Sequence, residues 1–356
     1  MSREFRFRYE LLRGGAYCAE LKAVDRTPII RCNSADRLKM LLTASFKPHA
    51  EDADGNPVEI DWLNDEVQPI MIIDGAEHPL GVYVFAKPQE TTEGPTRTVS
   101  VSAYDRGKKV ADTNSENLVY FPQSTAYIDA VEQLLTAAGI NLVFASPSAE
   151  LFSTAREDWP AGVSYLDIAN QLLSEISYNP LYFDLSGAAV LEPATVPEAI
   201  NIKHTLDTSD PTTRVIAGRF SKTTDLFSAP NVFVVNCDNP ELASPLTATA
   251  VNDNPQSPLS TVRRGRRIAS VTEVNNLPSQ AAAQAFANRQ LNESLISGEV
   301  ITLETGLLPD WGVGDVVALI HEGTVSVCVS QSWTASLCAG GRMTHQLKKV
   351  VYQLDV

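Results

Sequence analysis

The chain has 356 residues, 44% of them hydrophobic, which is enough for a packed core in each of two or three domains. Its 43 acidic residues against 28 basic ones give a net charge of -15, which argues against a nucleic-acid reader because phosphate contacts need lysine and arginine. No run approaches about 18 apolar residues, and the start MSREFRFRYE lacks the apolar region of a secretory signal. We therefore expect a soluble chain made in a cytoplasm, with no stable membrane insertion.

Residues 1–106 are predicted to form an antiparallel β domain. Apolar and polar side chains alternate in EFRFRYELL and again in the segment that ends at Phe46, the period of two that a half-buried strand requires. Turn-forming residues at 54–57 and 74–75 separate further strand candidates, and strands at this density indicate a barrel or a sandwich. The inward-facing residues are Phe5, Phe7, Tyr9 and Leu11 in the first strand and Leu38, Met40, Leu42, Ala44 and Phe46 in the second.

Residues 107–200 are predicted to form a small α/β domain inserted between β domains. A helical stripe spans 124–138, where Ser124 or Thr125 can cap the start and Gly139 can supply the left-handed end. A second helix begins at Ser164, which starts a capping box, and Pro180 is expected to end it. The segment LYFDLSGAAVLEP that follows has the pattern of a hairpin.

Residues 201–356 are predicted to form a second β domain that contains one helix. VFVVNC and VTEV are strand-like, and ITLETGLLPDWGVGDVVALIH has the pattern of a strand, a turn and a strand. The helix spans about 279–297, has an apolar ridge at every fourth residue, and ends at Gly298. The last hairpin is expected to turn at Gly340 and Gly341. The ridge consists of Ala283, Ala287, Leu291 and Leu295.

No pattern typical of catalysis or cofactor binding occurs in the sequence, which lacks GxSxG, HExxH, Walker and GxGxxG segments. His49 lies near three carboxylates in 51–54, but these lack the spacing of a calcium loop, so a solvated acidic turn is favoured over a metal site. Glu157 and Asp158 are likewise assigned to ordinary surface charge rather than to acid/base chemistry. We predict no catalytic residue, no metal and no cofactor. The histidines occur singly, as His49, His78, His204, His321 and His345.

Four arginines stand within five residues at the end of the proline-containing segment 252–267, although basic residues are scarce in this chain. The cluster is a solvated face, a phosphate site or a contact with another subunit. A phosphate site has little support because no aromatic or glycine-rich nest accompanies the arginines. We prefer a subunit contact, in which guanidinium groups meet carboxylates, and we expect the cluster to lead into a strand of the second β domain. The arginines of this hypothesis are Arg263, Arg264, Arg266 and Arg267.

Several long segments resemble the baseplate hub proteins at the tip of bacteriophage tails and related contractile injection systems, a family that includes type VI spike hubs. In the carboxy-terminal half the resemblance lies in AGRFSKTTDLFSAPNVFVV, ATAVNDNPQSPLSTVRRGRRIASV and LLPDWGVGDVVAL. In the amino-terminal half it lies in EIDWLNDEVQPIMIIDG, HPLGVYVFAKPQ, RTVSVSAYDR and YNPLYFDLSGAAVLEP. The order and spacing of these segments carry the resemblance, which covers most of the chain.

The resemblance implies a mainly β fold, with two tail-tube-like antiparallel β-barrels and a small α/β domain. It implies a homotrimer, in which three chains with two barrels each form a ring that adapts the sixfold tail tube to the threefold tip and surrounds a channel. The implied partners are the tail tube or distal tail protein, the spike or tip protein, the tape-measure protein and surrounding baseplate proteins, with DNA only as passing cargo. The implied location is the tail baseplate of a virion that is assembled in the bacterial host cytoplasm.

Other functions stay open from the sequence. The chain is alternatively the hub of a type VI or extracellular contractile injection system. A tail-associated cell-wall hydrolase and a glycan-binding module are less favoured, since the first needs a positioned carboxylate or metal-bound water and the second an exposed aromatic cleft. The acidic composition has two interpretations: carboxylates that line a channel and repel DNA, or charge that keeps a large assembly soluble.

Overall fold

The structure is a computed structural model that describes residues 4–24, 27–195, 197–210, 215–224, 227, 229–238, 244–274, 277, 279–295 and 299–350. Most of the described elements are β-strands, and the described helices all lie between residues 107 and 295. This confirms the prediction of a mainly β fold with an α/β insertion.

The amino-terminal β region contains eleven described strands. In β1 and β4, buried apolar residues alternate with more exposed residues, as the sequence predicts. In β1, Tyr9 and Leu11 are buried, and in β4 the same is true of Met40, Leu42 and Phe46. The strands are β1 (Phe5–Arg13), β2 (Ala16–Leu21), β3 (Ile29–Asn33), β4 (Met40–Phe46), β5 (His49–Glu51), β6 (Pro57–Glu59), β7 (Glu66–Ile73), β8 (Ala76–Pro79), β9 (Tyr83–Phe85), β10 (Gln89–Glu93) and β11 (Thr96–Asp105).

Six of these strands form a closed series, in which each strand is joined to the next by backbone hydrogen bonds. β1 lies between β2 and β7, β7 pairs with β9, β9 with β11, and β11 with β4. A backbone bridge between Ala23 and Phe46 then joins the chain just after β2 to the end of β4, and the Val24 N–H donates to the Ser45 carbonyl at 2.8 Å. The pairings therefore return to their starting strand, as they do in a barrel.

The first α/β unit follows directly and has a core of its own. Its two longer helices bury their apolar faces against one another and against two small sheets. β13 runs parallel to β16, which also pairs with β15, while β12 and β14 form a separate two-stranded ribbon. The elements are α1 (Gly107–Asp112), β12 (Val119–Phe121), α2 (Tyr127–Ala137), β13 (Val143–Ala145), β14 (Arg156–Trp159), α3 (Tyr165–Glu175), β15 (Tyr182–Phe183) and β16 (Ala189–Leu191).

The helix ends agree with the sequence patterns except at two places. Ser164 caps α3 as predicted, since its hydroxyl accepts the Asp167 N–H. The expected cap of α2 by Ser124 or Thr125 is wrong, because Ala126 occupies the cap position without a side-chain bond. α3 also ends five residues before Pro180, since Ser177 takes a left-handed backbone conformation with φ of 60°.

The carboxy-terminal region begins with a short 3₁₀ helix (Ala199–Asn201) and consists mainly of strands. β18, β22, β25, β24, β23 and β17 are neighbours in that order, and β17 runs parallel to β23, which departs from the antiparallel prediction. The remaining elements are β17 (Ile202–Asp207), β18 (Val215–Thr224), β19 (Val232–Cys237), β20 (Leu246–Val251), α4 (Thr261–Arg264), β21 (Ala269–Val274), α5 (Gln280–Leu295), β22 (Glu299–Gly306), β23 (Val316–His321), β24 (Thr324–Ser336) and β25 (Arg342–Lys349).

The described elements β19, β20, β21 and α5 form a second α/β unit rather than part of the main sheet. β19 lies between β20 and β21 in a small sheet, and α5 packs on one face of it around Val235, Ala283 and Ala287. The expectation that the arginine cluster leads into a strand of the second β-barrel is therefore wrong. α4 and the residues after it lead into β21, which pairs with β19. The predicted helix end at Gly298 lies outside the described residues.

β24 connects the two β regions. Its first half pairs with β23, whereas its second half pairs with β3, with Ala335 opposite Ile30 and Trp333 opposite Cys32. Buried residues from both regions belong to a single apolar cluster that extends from Tyr9 to Leu347. Sheet and core are thus continuous, and the domain boundaries near 106 and 200 stay a prediction.

An ion pair attaches the first α/β unit to the amino-terminal β region. The guanidinium of Arg106 donates to both carboxylate oxygens of Glu66, at 3.0 and 2.7 Å, and to the Gly187 carbonyl at 2.9 Å. Lys109 also reaches Glu66 at 2.8 Å. Gly187 has a φ of 82°, and a Cβ there would lie 2.6 Å from Val82, so the hairpin that contains it docks closely only with glycine.

We expect Arg106→Met to lower the free energy of unfolding by about 2 kcal/mol, because Glu66 is 3% exposed and would keep only Lys109 as a partner. Urea denaturation followed by circular dichroism measures the change. Arg97→Met is the matched control, since Arg97 is 67% exposed and 3.9 Å from Glu90, a pair expected to contribute under about 1 kcal/mol. Equal effects of the two substitutions would contradict the role given to Arg106.

Candidate interaction surfaces

Four histidines have side-chain contacts within the fold: His78, His204, His321 and His345. Among the described residues, no group of three or more His, Cys, Asp or Glu side chains could hold a metal ion. His204 stacks on Trp311 at 4.3 Å between ring centroids, and His345 lies 4.4 Å from the same ring. Burial lowers the pKa of His345 to about 3, so this imidazole is neutral at ordinary pH.

Asp315 holds the turn that contains Trp311. Its carboxylate accepts hydrogen bonds from Lys203 at 2.8 Å and from the Gly312 N–H at 2.7 Å, and it lies 3.0 Å from His204. Burial acts to raise the pKa of Asp315, but these hydrogen bonds outweigh it and the pKa is lowered. The group therefore stays ionised and joins the turn to β17, which gives the segment LLPDWGVGDVV a structural role.

A cleft of about 720 Å³ lies where the amino-terminal β region, the first α/β unit and β23 meet. Its lining is mixed, and its carboxylates are already engaged. Glu192 accepts a hydrogen bond from the Tyr182 hydroxyl at 2.9 Å, and Asp315 is bound as described. Both carboxylates among the described lining residues, Glu192 and Asp315, therefore already have hydrogen-bond partners within the chain.

Two of the four predicted arginines bind within the chain. Ser260 caps α4, and Gly265 ends it in the left-handed conformation. The Arg264 guanidinium then donates to the backbone carbonyls of Phe227 and Ala229, the second at 2.6 Å. Arg266 donates to the Phe227 carbonyl at 2.9 Å and lies 4.5 Å above the Phe227 ring. Arg264 and Arg266 therefore hold the segment around Phe227 against α4.

The other two arginines face solvent. Arg263 and Arg267 are exposed, and neither has a carboxylate within ion-pair distance among the described residues. Two exposed apolar side chains belong to the same region: Val262, 61% exposed, precedes Arg263 in the chain, and Phe227, 77% exposed, contacts Arg266. We call Phe227, Val262, Arg263, Arg266 and Arg267 the basic surface. The four predicted arginines thus have two different environments. Arg264 and Arg266 bind backbone carbonyls of the chain, whereas Arg263 and Arg267 face solvent.

A second exposed surface lies on the β12–β14 ribbon. Val119 pairs with Trp159 and Phe121 with Arg156, and an irregularity between these pairs leaves Tyr120 outward on one strand. Glu157 is exposed on the other strand, and Asp158 next to it is partly exposed although its carboxylate accepts a hydrogen bond from Arg156. We call Glu116, Leu118, Tyr120, Glu157 and Asp158 the acidic ribbon. The sequence analysis missed this surface, although the alternation in NLVYF is a signal for it.

The inner face of the ribbon is held by a buried charge network. Arg156 donates to Glu175 at 2.8 and 3.1 Å and to Asp158 at 2.5 Å, and its guanidinium lies 5.0 Å from the Trp159 ring. Burial raises the pKa of Glu175 although Arg156 acts to lower it. Because both Arg156 and Glu175 are inaccessible, the network fixes the ribbon and offers no acid/base chemistry to a substrate.

We expect Arg264→Ala to speed chymotrypsin cleavage after Phe227 several-fold, because the segment loses the guanidinium that binds two of its carbonyls. Mass spectrometry of the fragments identifies the cleaved bond. Arg263→Ala removes the same charge one residue earlier without removing those bonds, and it should leave the rate unchanged. Equal rates for the two variants would show that Arg264 does not hold the segment.

Among the described residues no helix is long and apolar enough to cross a membrane. No family model matches the chain, and neither does any curated protein. Solved structures do match. The tail protein from Neisseria meningitidis MC58 has a TM-score of 0.65 at 14% identity, with 96% of each chain covered. The 43 kDa tail protein of prophage MuSo2 from Shewanella oneidensis has a TM-score of 0.65 at 14% identity, covering 97% of this chain and 99% of that one.

A protein from a different particle has a related fold. The E. coli c3393 protein, a component of the type VI secretion system with structural similarity to T4 tail proteins gp27 and gp5, matches with a TM-score of 0.53 at 11% identity. The match covers 99% of this chain and 77% of that chain. At such identities the likeness concerns the fold, and it extends over almost the whole chain. The chain therefore has the fold of these phage tail proteins over almost its whole length.

Proposed function

We propose that the chain is a structural hub in the tail baseplate of a phage or phage-like particle. The observation that carries this proposal is the end-to-end fold match to two tail proteins, each covered over 96% or more of its length. The match includes both β regions and the intervening α/β unit, so the likeness to these tail proteins concerns the whole architecture and not one shared domain. The proposed role is therefore mechanical and not enzymatic.

In this proposal three copies form a ring around a channel. Each copy contributes two β regions, so the ring offers six β faces to the tail tube or distal tail protein and three equivalent faces to a spike or tip protein. The continuity of β24 across both regions supports this arrangement, since it keeps the two faces of one chain in a constant relative orientation. Tape-measure and surrounding baseplate proteins would contact the ring, and the virion tail is the proposed location.

DNA would pass through the ring without stable binding. The net charge of -15 supports this, because carboxylates near a channel repel phosphates over about 8 Å at physiological salt. The fold match to the type VI component supports a second candidate, the hub of a secretion or extracellular injection particle. The two candidates share the ring and differ in the cargo.

Sedimentation velocity tests the ring. We expect a species of about three times the 38.7 kDa chain mass, either for the chain alone or after addition of its tube or spike partner. A chain that stays monomeric in all these mixtures and binds glycans in isolation would support a recognition module instead.

A turbidity assay on purified peptidoglycan tests the non-enzymatic role. We expect no clearing beyond buffer, because the carboxylates Glu175 and Asp315 are buried and already hydrogen-bonded. Clearing that survives further purification, and that a Glu157→Gln variant abolishes, would contradict the proposal and revive the hydrolase alternative.

A further inference from the structure

The basic surface combines unpaired positive charge with exposed apolar area. Arg263 and Arg267 have no ion-pair partner among the described residues, in a chain that has an excess of carboxylates. Phe227, which lies under the Arg266 guanidinium, and Val262, which precedes Arg263 in the chain, are largely exposed. Guanidinium groups next to an aromatic ring are typical of protein interfaces, where arginine and aromatic residues are enriched. The surface therefore has the composition of a contact site for an acidic, partly apolar partner.

The acidic ribbon has the complementary composition. Glu116 and Glu157 are exposed and have no ion-pair partner among the residues that the structure describes. Leu118 is 52% exposed and Tyr120 59%. Both surfaces thus combine two exposed charges of one sign with two exposed apolar side chains, and their charges are opposite.

The ribbon is also rigid enough to act as a contact. The network of Arg156 and Glu175 and the edge-to-face packing of Phe121 on Trp159, at 6.0 Å between centroids, hold its inner face. The basic surface is held likewise, by the bonds of Arg264 and Arg266. Surfaces that are ordered before binding lose little conformational entropy when they meet.

We propose that the basic surface of one copy of the chain binds the acidic ribbon of the next copy. The inference rests on the ring of the proposed function and names the surfaces that would close it. Because the two surfaces differ, the contact is heterologous, and a contact of this kind repeats head to tail until the rotation closes. The apolar side chains supply buried area, while the charges set orientation and association rate.

Charge reversal on each side tests the contact. One variant carries Arg263→Glu and Arg267→Glu, the second carries Glu116→Lys and Glu157→Lys, and the third carries all four substitutions. All four side chains are exposed, so the fold should persist, and circular dichroism verifies this. The control, Lys87→Glu with Arg97→Glu, has the same net charge as the first variant and changes exposed residues elsewhere.

Sedimentation equilibrium over a range of concentrations gives the dissociation constant of the oligomer. We expect each two-residue variant to weaken association about tenfold or more, because like charges then face each other. The four-residue variant should regain most of the lost affinity, since opposite charges face each other again with their signs exchanged. The control should associate as the wild type does.

The possible outcomes distinguish failure of the proposed contact from failure of the proposed ring. A wild-type trimer that neither two-residue variant weakens would overturn the contact and leave the ring intact. Weakening without recovery in the four-residue variant would show that these surfaces do not bind each other, and it would overturn the contact as well. A wild-type chain that stays monomeric, alone and with tube or spike partners, would overturn both the contact and the ring.

Discussion

The arrangement of this chain depends on one strand that changes partner. β24 pairs with β23 over its first half and with β3 over its second half, so backbone hydrogen bonds continue from the carboxy-terminal region into the amino-terminal one. Buried side chains follow the same path, from Ile30 across to Ala335 and on to Leu347. Two β regions that share a sheet and a core do not move independently. This constraint keeps the two β regions of one chain in a constant relative orientation.

The first α/β unit is attached to the amino-terminal β region in a different way, through ion pairs at its edges. Arg106 attaches the first unit to Glu66, and Arg37 reaches Asp167 at the start of α3 at 3.0 Å. Arginine suits these positions because its planar group donates several hydrogen bonds at once. In an acidic chain, carboxylates are abundant and arginines few. An exposed arginine such as Arg263, which has no ion-pair partner among the described residues, is therefore informative about contacts outside the chain.

Local patterns in the sequence predicted local structure well. Period-two alternation located β1 and β4, and the capping residues located the start of α3 at Ser164. Properties that depend on long-range pairing were not predictable. Nothing in VFVVNC or VTEV shows that these strands form a small sheet with α5, and nothing in RRGRR shows that Arg264 binds carbonyls about 35 residues earlier. The acidic ribbon was missed because Glu157 and Asp158 were weighed as a pair, without the strand opposite them.

We propose that three copies of this chain form a ring with six β regions around a channel. Electron cryomicroscopy of the assembled chain, with its tube or spike partner where assembly requires one, would reveal this ring. We expect a threefold ring, an open axial channel, and the α4 region of each copy next to the β12–β14 ribbon of its neighbour. A twofold dimer, a closed centre, or isolated monomers would contradict it.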